Sequence, residues 1–360
     1  MARIPRIFVS IASYRDPQCQ WTVKDLFDKA MRPERVFVGI CWQYDPERDQ
    51  DCFQVPYPRP AQVRSLVVNW RDAKGVSWAR HEIQKLWQGE EYVLQIDAHM
   101  RFVIGWDVAM IQELKLCDSP KPLLSCYPPP FTPPNDLPAN PKLNVCTMQS
   151  FQPDGNLRGK SPEIGFVPEK PMRGAFVMGA FIFARSRFFE EIPYDPYLYF
   201  DQEEITLAIR LFTHGWDVFS SHRTLLYHYY YDPAKIKRET HLGDFYKEEE
   251  TANKMRWFME RGTKRFNHLT GYELSDDPDV TAELDKYGFG NVRTLQAFEV
   301  FTGIDFNKKT VSKKTTDGLF VDELRQRIEA SQQQTPAAVA GPPGGNVPTL
   351  PSAGGAAPSS

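Results

Sequence analysis

Two short runs in this sequence set a carboxylate and two imidazoles at the ends of apolar stretches, a combination that suits a divalent ion. In Gln95-Ile96-Asp97-Ala98-His99-Met100-Arg101-Phe102 an acid closes an apolar run and a histidine follows two residues later. On a continuing strand, side chains two apart share a face, so Asp97 and His99 are expected to point the same way. One carboxylate oxygen with one imidazole nitrogen suits a transition ion such as Mn²⁺, whereas magnesium prefers an all-oxygen set. An Asp capping a turn beside an ordinary polar His fits the same three residues, and the short motif does not separate the two. His228 supplies the further observation, because it closes a second apolar run, Leu225-Leu226-Tyr227-His228. A site of Asp97, His99 and His228 leaves coordination positions open for diphosphate oxygens, water or substrate. An ion there would neutralise charge developing on a diphosphate leaving group.

Other polar residues allow two readings each. Glu203 and Glu204, in Phe200-Asp201-Gln202-Glu203-Glu204-Ile205, open a helical run. They either complement the helix dipole, or one binds sugar hydroxyls while the other positions an acceptor. Arg80, a few residues after Gly75, is either a surface arginine or a planar fork that grips phosphate or ribose. Ser13, Tyr14 and Arg15 either receive a nucleobase or form a polar turn. No G-x-S-x-G elbow, P-loop or G-x-G-x-x-G opening a helix is present, which sets aside serine hydrolases, common nucleotide kinases and dinucleotide oxidoreductases.

The elements that must position these groups follow from apolar patterning. Residues 6–11 (RIFVSI), 35–40 (RVFVGI), 63–70 and 91–97 (EYVLQID) are expected as strands, with helices from the Pro17 region to Ala30 and after Gly75. This β-α-β-α-β order with continuous apolar strands implies an α/β fold with a mostly parallel sheet covered on both faces. Ligands of such sheets gather beyond the carboxyl ends of the strands, which puts Ser13 and Asp97 on one rim. Residues 127–172 are dense in proline and are expected as a long irregular excursion, a lid or acceptor-binding segment. Residues 174–184 (GAFVMGAFIFA) are expected as a strand or pair of strands, and 203–213 as a helix stopped by Gly215. The chain divides into a nucleotide-binding domain over 1–234, a helical extension over 235–331 and a tail over 332–360. The tail, rich in Pro, Gly, Ala, Ser and Gln, is too poor in large apolar residues to offset its ordering entropy.

Composition excludes other classes. A net charge of −3 over 360 residues argues against a nucleic-acid partner, which calls for a strongly basic surface. No apolar run reaches the length of a transmembrane segment, and the N-terminus is too polar for a signal peptide. The six cysteines are scattered without a C-x-x-C pair, as in a reduced cytoplasmic protein that binds no metal through thiolates.

The blocks IFVSIASYRDPQC, RPERVFVGICWQ, LQIDAHMRF and IPYDPYLYFDQEEITLAIRLFTHGWDVFS…LLYH resemble glycosyltransferase family 60, in the same order and over roughly residues 7–231. Its best-known members are cytoplasmic enzymes that attach N-acetylglucosamine to a hydroxyproline of a ubiquitin-ligase adaptor. The resemblance implies a GT-A type, Rossmann-like fold, UDP-GlcNAc as donor, Mn²⁺ or another divalent cation, and transfer with retention. It also implies that Asp97 and His99 fall on the family's D-x-H metal motif and His228 on its late ligand histidine. Ser13, Tyr14 and Arg15 fall on the nucleotide loop, Arg80 on the family's arginine, and Glu203 and Glu204 on its acid pair. Two positions depart from the pattern: Gln202 stands where the family has glycine before the acids, and Val76 where it has proline after Gly75. The acceptor implied is a hydroxyl of a protein (hydroxyproline, Ser or Thr) or of a glycan. Two alternatives remain: a UDP-hexose transferase building bacterial polysaccharide, and a non-catalytic nucleotide-sugar-binding protein.

Overall fold

The computed structural model describes residues 4–230, 243–244, 247–318 and 320, except Asp154 and Gly165. All of these fall in one compact unit, Met1–Val321; a second unit, Asp322–Ser360, holds no described residue. The tail expected at 332–360 therefore lies outside the described residues, as do 235–242 and 321–331 of the expected extension.

The amino-terminal half alternates as the apolar runs require. Strands β1 (Ile7–Tyr14), β2 (Val36–Tyr44), β3 (Val63–Asn69) and β4 (Tyr92–Asp97) pair in parallel in the order β3-β2-β1-β4. β1 lies between two strands under helices, so nearly every side chain of IFVSIASY is buried, while edge strand β3 carries exposed Ser65, Val67 and Asn69. Helix α1 (Gln18–Lys29) buries Val23, Leu26 and Phe27, and α2 (Val76–Gln84) buries Ala79 and Ile83, so both pack an apolar stripe inward. The register pairs Ala12 of β1 with Asp97 of β4. This brings Ser13 and Tyr14, still on β1 and paired with β2 where the sequence also allows a polar turn, to the same rim as Asp97.

Beyond β4 the chain bends at Ala98 and His99, runs through β5 (Met100–Phe102) and enters α3 (Trp106–Leu116). β6 (Pro122–Leu124) precedes the proline-rich excursion, which contains an antiparallel hairpin of β7 (Thr147–Phe151) and β8 (Leu157–Lys160). β9 (Met172–Arg173), β10 (Phe181–Arg185), α4 (Arg187–Glu191), α5 (Glu203–Thr213), β11 (Asp217–Ser220) and β12 (Leu226–His228) follow. The central sheet then reads β3-β2-β1-β4-β10-β6-β11-β9, with β10 antiparallel to both neighbours. It is a mixed α/β architecture with a mostly parallel sheet.

The strand expected across 174–184 is present only from Phe181. The reason lies in the site. The Gly179 carbonyl accepts from Arg80 (3.0 Å) and Gln95 (2.9 Å), and its N–H donates to Glu204 (2.6 Å), so its backbone groups serve side chains instead of a ladder. A Cβ at position 179 would lie 2.5 Å from the Arg80 guanidinium, a close approach that only glycine permits.

The described carboxy-terminal residues are mainly helical and add a two-stranded ribbon of Ile304–Asp305 with Thr310–Val311. Its long helix α6 (Glu249–Thr270) places Met255 and Phe258 against Ala73 and Tyr199, and Phe258 stacks on Tyr199 at 5.8 Å. Tyr199 in turn braces the start of α2: Val76 N–H donates to its carbonyl (3.1 Å), and a Cβ at Gly75 would come 2.5 Å from the same oxygen. Thus the carboxy-terminal helix, the segment before the acid pair and the helix of Arg80 are packed as one block. No helix among the described residues is long and apolar enough to cross a membrane.

Candidate active site

Asp97, His99 and His228 offer one ligand atom each within 4.8 Å of one another. The route to this arrangement is not the strand alternation expected of D-x-H. Asp97 ends β4, and the chain bends at 98–99 before β5 begins. Thr22 of α1 holds that bend: its hydroxyl donates to the Ala98 carbonyl (2.7 Å) and accepts from Met100 N–H (2.8 Å). His228 arrives because β12 pairs antiparallel with β5, setting His228 opposite Met100, and Tyr229 N–H donates to the His99 carbonyl (3.0 Å). His228 Nε2 lies 3.3 Å and His99 Nε2 4.0 Å from Asp97 Oδ2.

The donor set fits a divalent ion. One oxygen and two nitrogens converge, and the far side of the His99 ring is held: Nδ1 lies 2.8 Å from Asp16 Oδ2. Burial raises the Asp97 carboxyl, but the His228 hydrogen bond and the charges of Arg80, His99 and His228 outweigh it and hold the group well below the usual carboxylate range. Asp97 is therefore an anion.

Arg80 is the hub on the other side. It is buried, its Nη2 donates to Asp97 Oδ1 (3.0 Å) and to the Gly179 carbonyl (3.0 Å), and its Nη1 pairs with Glu203. The two terminal nitrogens of the fork expected to grip phosphate meet protein acceptors, which ties the D-x-H bend to the acid pair. Burial raises the Glu203 carboxyl above its ordinary value, against the pull of Arg80. Burial also raises Glu204, to about 7, with the Glu203 charge adding to the rise and the Gly179 N–H opposing it.

The last residues of β1 and the turn at Arg15 lie alongside, but their side chains turn into the protein. Ser13 is fully buried. Tyr14 donates to Asp244 Oδ2 (3.2 Å). The Arg15 guanidinium meets Asp49 in bidentate fashion (2.8 and 2.9 Å), reaches Asp244 (2.8 Å) and packs over the Trp70 ring at 5.3 Å. The structure thus brings Asp97, His99, His228, Arg80 and Glu203 into one connected cluster and joins Glu204 to it through Gly179, while the Arg15 charge ends on carboxylates of the protein itself.

Gln202 does not join the cluster. Its amide donates to Asn156 Oδ1 (2.6 Å) at the β7–β8 turn and to Thr263 Oγ1 (2.9 Å) on α6. Sequence reasoning missed Asp16, Thr22, Gly179 and Asp244. Asp16 followed the loop already singled out, but an Asp before Pro marks only a turn, and nothing in its spacing points to residue 99.

With this geometry in place, comparison with known proteins decides the family. A family model described as Glycosyltransferase (GlcNAc) matches residues 6–61 and 55–308. The chain belongs to this GlcNAc glycosyltransferase family. No curated protein matches it. Among solved structures, it is similar to GalNAc-T7 with UDP, GalNAc and Mn²⁺, at 11% identity and a TM-score of 0.52 over 83% of this chain. The match spans 57% of the GalNAc-T7 chain, and it identifies the fold as GT-A. S. aureus TarS 1-349 matches at 11% identity and a TM-score of 0.40, over 78% of this chain and 80% of that one.

Proposed function

We propose that this member of the GlcNAc glycosyltransferase family is a family 60-type, metal-dependent retaining transferase. It would move N-acetylglucosamine from UDP-GlcNAc to a hydroxyl acceptor on a protein (hydroxyproline, Ser or Thr) or a glycan. The observation that carries this reading is the convergence of Asp97, His99 and His228 at the carboxyl rim of a GT-A sheet. The UDP and Mn²⁺ of the similar GalNAc-T7 structure support a nucleotide diphosphate and a divalent ion at this rim.

Asp97, His99 and His228 are the residues that would hold the ion, which would supply Lewis-acid neutralisation of charge on the departing diphosphate. Arg80 keeps Asp97 ionised and ties it to Glu203, so that the metal side and the sugar side of the site are set at one distance. Glu203 orients donor hydroxyls. Glu204, with a carboxyl near neutrality, accepts from the acceptor hydroxyl as it is positioned. Ser13, Tyr14 and Arg15 shape the rim for the uridine, with Arg15 acting through the loop it locks. The cytoplasmic setting belongs to the same proposal, and all six cysteines are free thiols.

The test is UDP release by the purified protein over a panel of UDP-sugars, with Mn²⁺ and with chelator. The expected outcome is chelator-sensitive release that is greatest with UDP-GlcNAc. A different best donor would move the reading to another UDP-hexose transferase. Release untouched by chelator would remove the metal from the mechanism.

A further inference from the structure

Where β1 ends, two consecutive side chains turn toward the Asp49–Asp244 carboxylates and the next turns to His99. Tyr14 goes to Asp244, Arg15 to Asp49 and Asp244, and Asp16 to His99. Arg15 sits at φ +46°, in the left-handed region that a non-glycine residue adopts at some cost. Its N–H donates to Gln43 on β2 (2.8 Å) and its guanidinium is fixed by two carboxylates, so the surroundings hold the turn in that shape. The next residue, Asp16, is 2% exposed. Its Oδ1 accepts from Gln18 N–H at the start of α1 (2.9 Å), and its Oδ2 lies 2.8 Å from His99 Nδ1.

We propose that Asp16 is a positioning residue for the metal site: it accepts the Nδ1–H of a neutral His99 and thereby fixes the tautomer whose Nε2 lone pair faces Asp97. The inference rests on the metal reading of the preceding section. Its chemistry is general. An imidazole can bind an ion through Nε2 only if its proton sits on Nδ1, and a buried carboxylate at Nδ1 both selects that tautomer and holds the ring plane. The His99 ring is held from other directions as well, by the His228 ring at 4.7 Å and the Tyr229 ring at 6.5 Å, but neither ring face selects a tautomer. The consequence is a link in sequence between two subsites. Arg15 and Asp16 are neighbours, so the turn that builds the rim of the nucleotide loop also presets a metal ligand 83 residues away.

Asp16→Asn is the sharpest test, because the Gln18 N–H decides which way the amide turns. The amide oxygen must stay on the Gln18 side to accept, which aims the NH₂ at His99 Nδ1. Nδ1 then has to accept, and the proton moves to Nε2. Replacing a histidine's carboxylate partner by an amide in this way gives the wrong tautomer with little change in geometry. The expected results are a roughly 10–100-fold loss of Mn²⁺ affinity, measured by titration of the whole protein, and an exchange of the Nδ1 and Nε2 ¹⁵N signatures of His99 in the metal-free protein. Asp16→Ala removes both hydrogen bonds and should give a comparable loss with a mixture of tautomers. Thermal unfolding of each variant accompanies the titrations. Wild-type affinity in Asp16→Asn, while Asp97→Ala loses the ion, would overturn the inference alone. If the unaltered protein binds no Mn²⁺ saturably, the metal reading falls and this inference with it. Loss of affinity with the His99 tautomer unchanged would also overturn it, since Asp16 would then be acting through the fold.

Discussion

Two charged clusters stand at neighbouring strand ends of one sheet, made from similar parts. At the end of β1, Arg15 lies between Asp49 and Asp244, and those carboxylates take further donors: Asp45 N–H on Asp49 (2.7 Å), Tyr14 hydroxyl and Lys247 ammonium on Asp244. At the end of β4, Asp97 takes Arg80 on one oxygen and turns the other toward two histidines. In the first cluster the cations belong to the chain and sit between the carboxylates they neutralise. In the second, the groups that face one another across the gap are a carboxylate and two imidazoles, a set that can take a divalent ion when the imidazoles are neutral. Burial and charge alone would have scored the clusters alike. What separates them is whether the ligand atoms converge on one another or on a protein cation.

The largest expected effect breaks the second cluster. Asp97→Ala or His228→Ala should lower metal-dependent UDP release by about 10²–10³-fold or more, since each removes charge stabilisation at the leaving group. Both should also lose Mn²⁺ binding by titration. Metal-dependent turnover that survives His228→Ala would show that β12 does not contribute a ligand.

Arg15→Ala tests the opposite assignment. It takes the shared guanidinium from two buried carboxylates, leaving Asp244 with Lys247 and Tyr14 and Asp49 with the Asp45 N–H, and removing one partner of a buried pair costs about 3–5 kcal/mol. The loss should appear in urea unfolding of the protein with neither donor nor metal added. If stability is unchanged and only the KM for donor rises, Arg15 is a ligand contact and the contrast between the clusters fails.

Much of this arrangement was legible in the sequence, and the boundary of legibility is physical. Apolar runs with period and length gave the strands of the amino-terminal half and α5, because those elements are buried by their own neighbours. Asp97 and His228 were visible because each ends an apolar run, and His99 because it follows Asp97 by two residues. The reason they meet was not, since it depends on Thr22 holding a bend and on β12 choosing β5 as its partner. Asp244 and Asp16 were invisible for the same reason: their partners lie 229 and 83 residues away, and no local spacing records such a pairing. At 174–180 the sequence pattern pointed to strand, and the polar demands of Arg80, Gln95 and Glu204 on the Gly179 backbone prevailed.

A smaller effect concerns the link between the clusters and the acceptor side. The Glu204 carboxyl is raised to about 7 by burial, aided by Glu203. If its ionised form assists the acceptor, sugar transfer should fall about tenfold per pH unit below 7, and Glu204→Gln should be slow and lack that limb. Stability moves in the opposite sense. A carboxyl whose folded pKa is raised favours the native state at low pH, and that contribution is lost as pH rises from its ordinary value of 4.5 to about 7. Glu204→Gln should therefore flatten the decline in unfolding free energy over that window. An unchanged pH profile of both rate and stability would place Glu204 outside the chemistry.

The smallest expected effect falls on Gln202, where the resemblance to glycosyltransferase family 60 implies glycine beside the acid pair. Its place in sequence suggests contact with the donor sugar, but its amide is spent on Asn156 and Thr263, and Gly262 on α6 leaves it room: a Cβ there would lie 3.0 Å from Gln202 Oε1. The side chain thus fastens the hairpin of the proline-rich excursion and α6 to the N-terminus of α5, behind Glu203. Gln202→Ala should cost about 1–2 kcal/mol of stability, the range for neutral hydrogen bonds lost from a buried position. The ranking of donors should not change, because no group that faces the metal ligands has moved. A reordered UDP-sugar panel in this variant would mean that Gln202 reaches the sugar during turnover. The site would then extend across the Arg80–Glu203 clamp into the carboxy-terminal helices, and the excursion hairpin would join the clusters as a third element of donor selection.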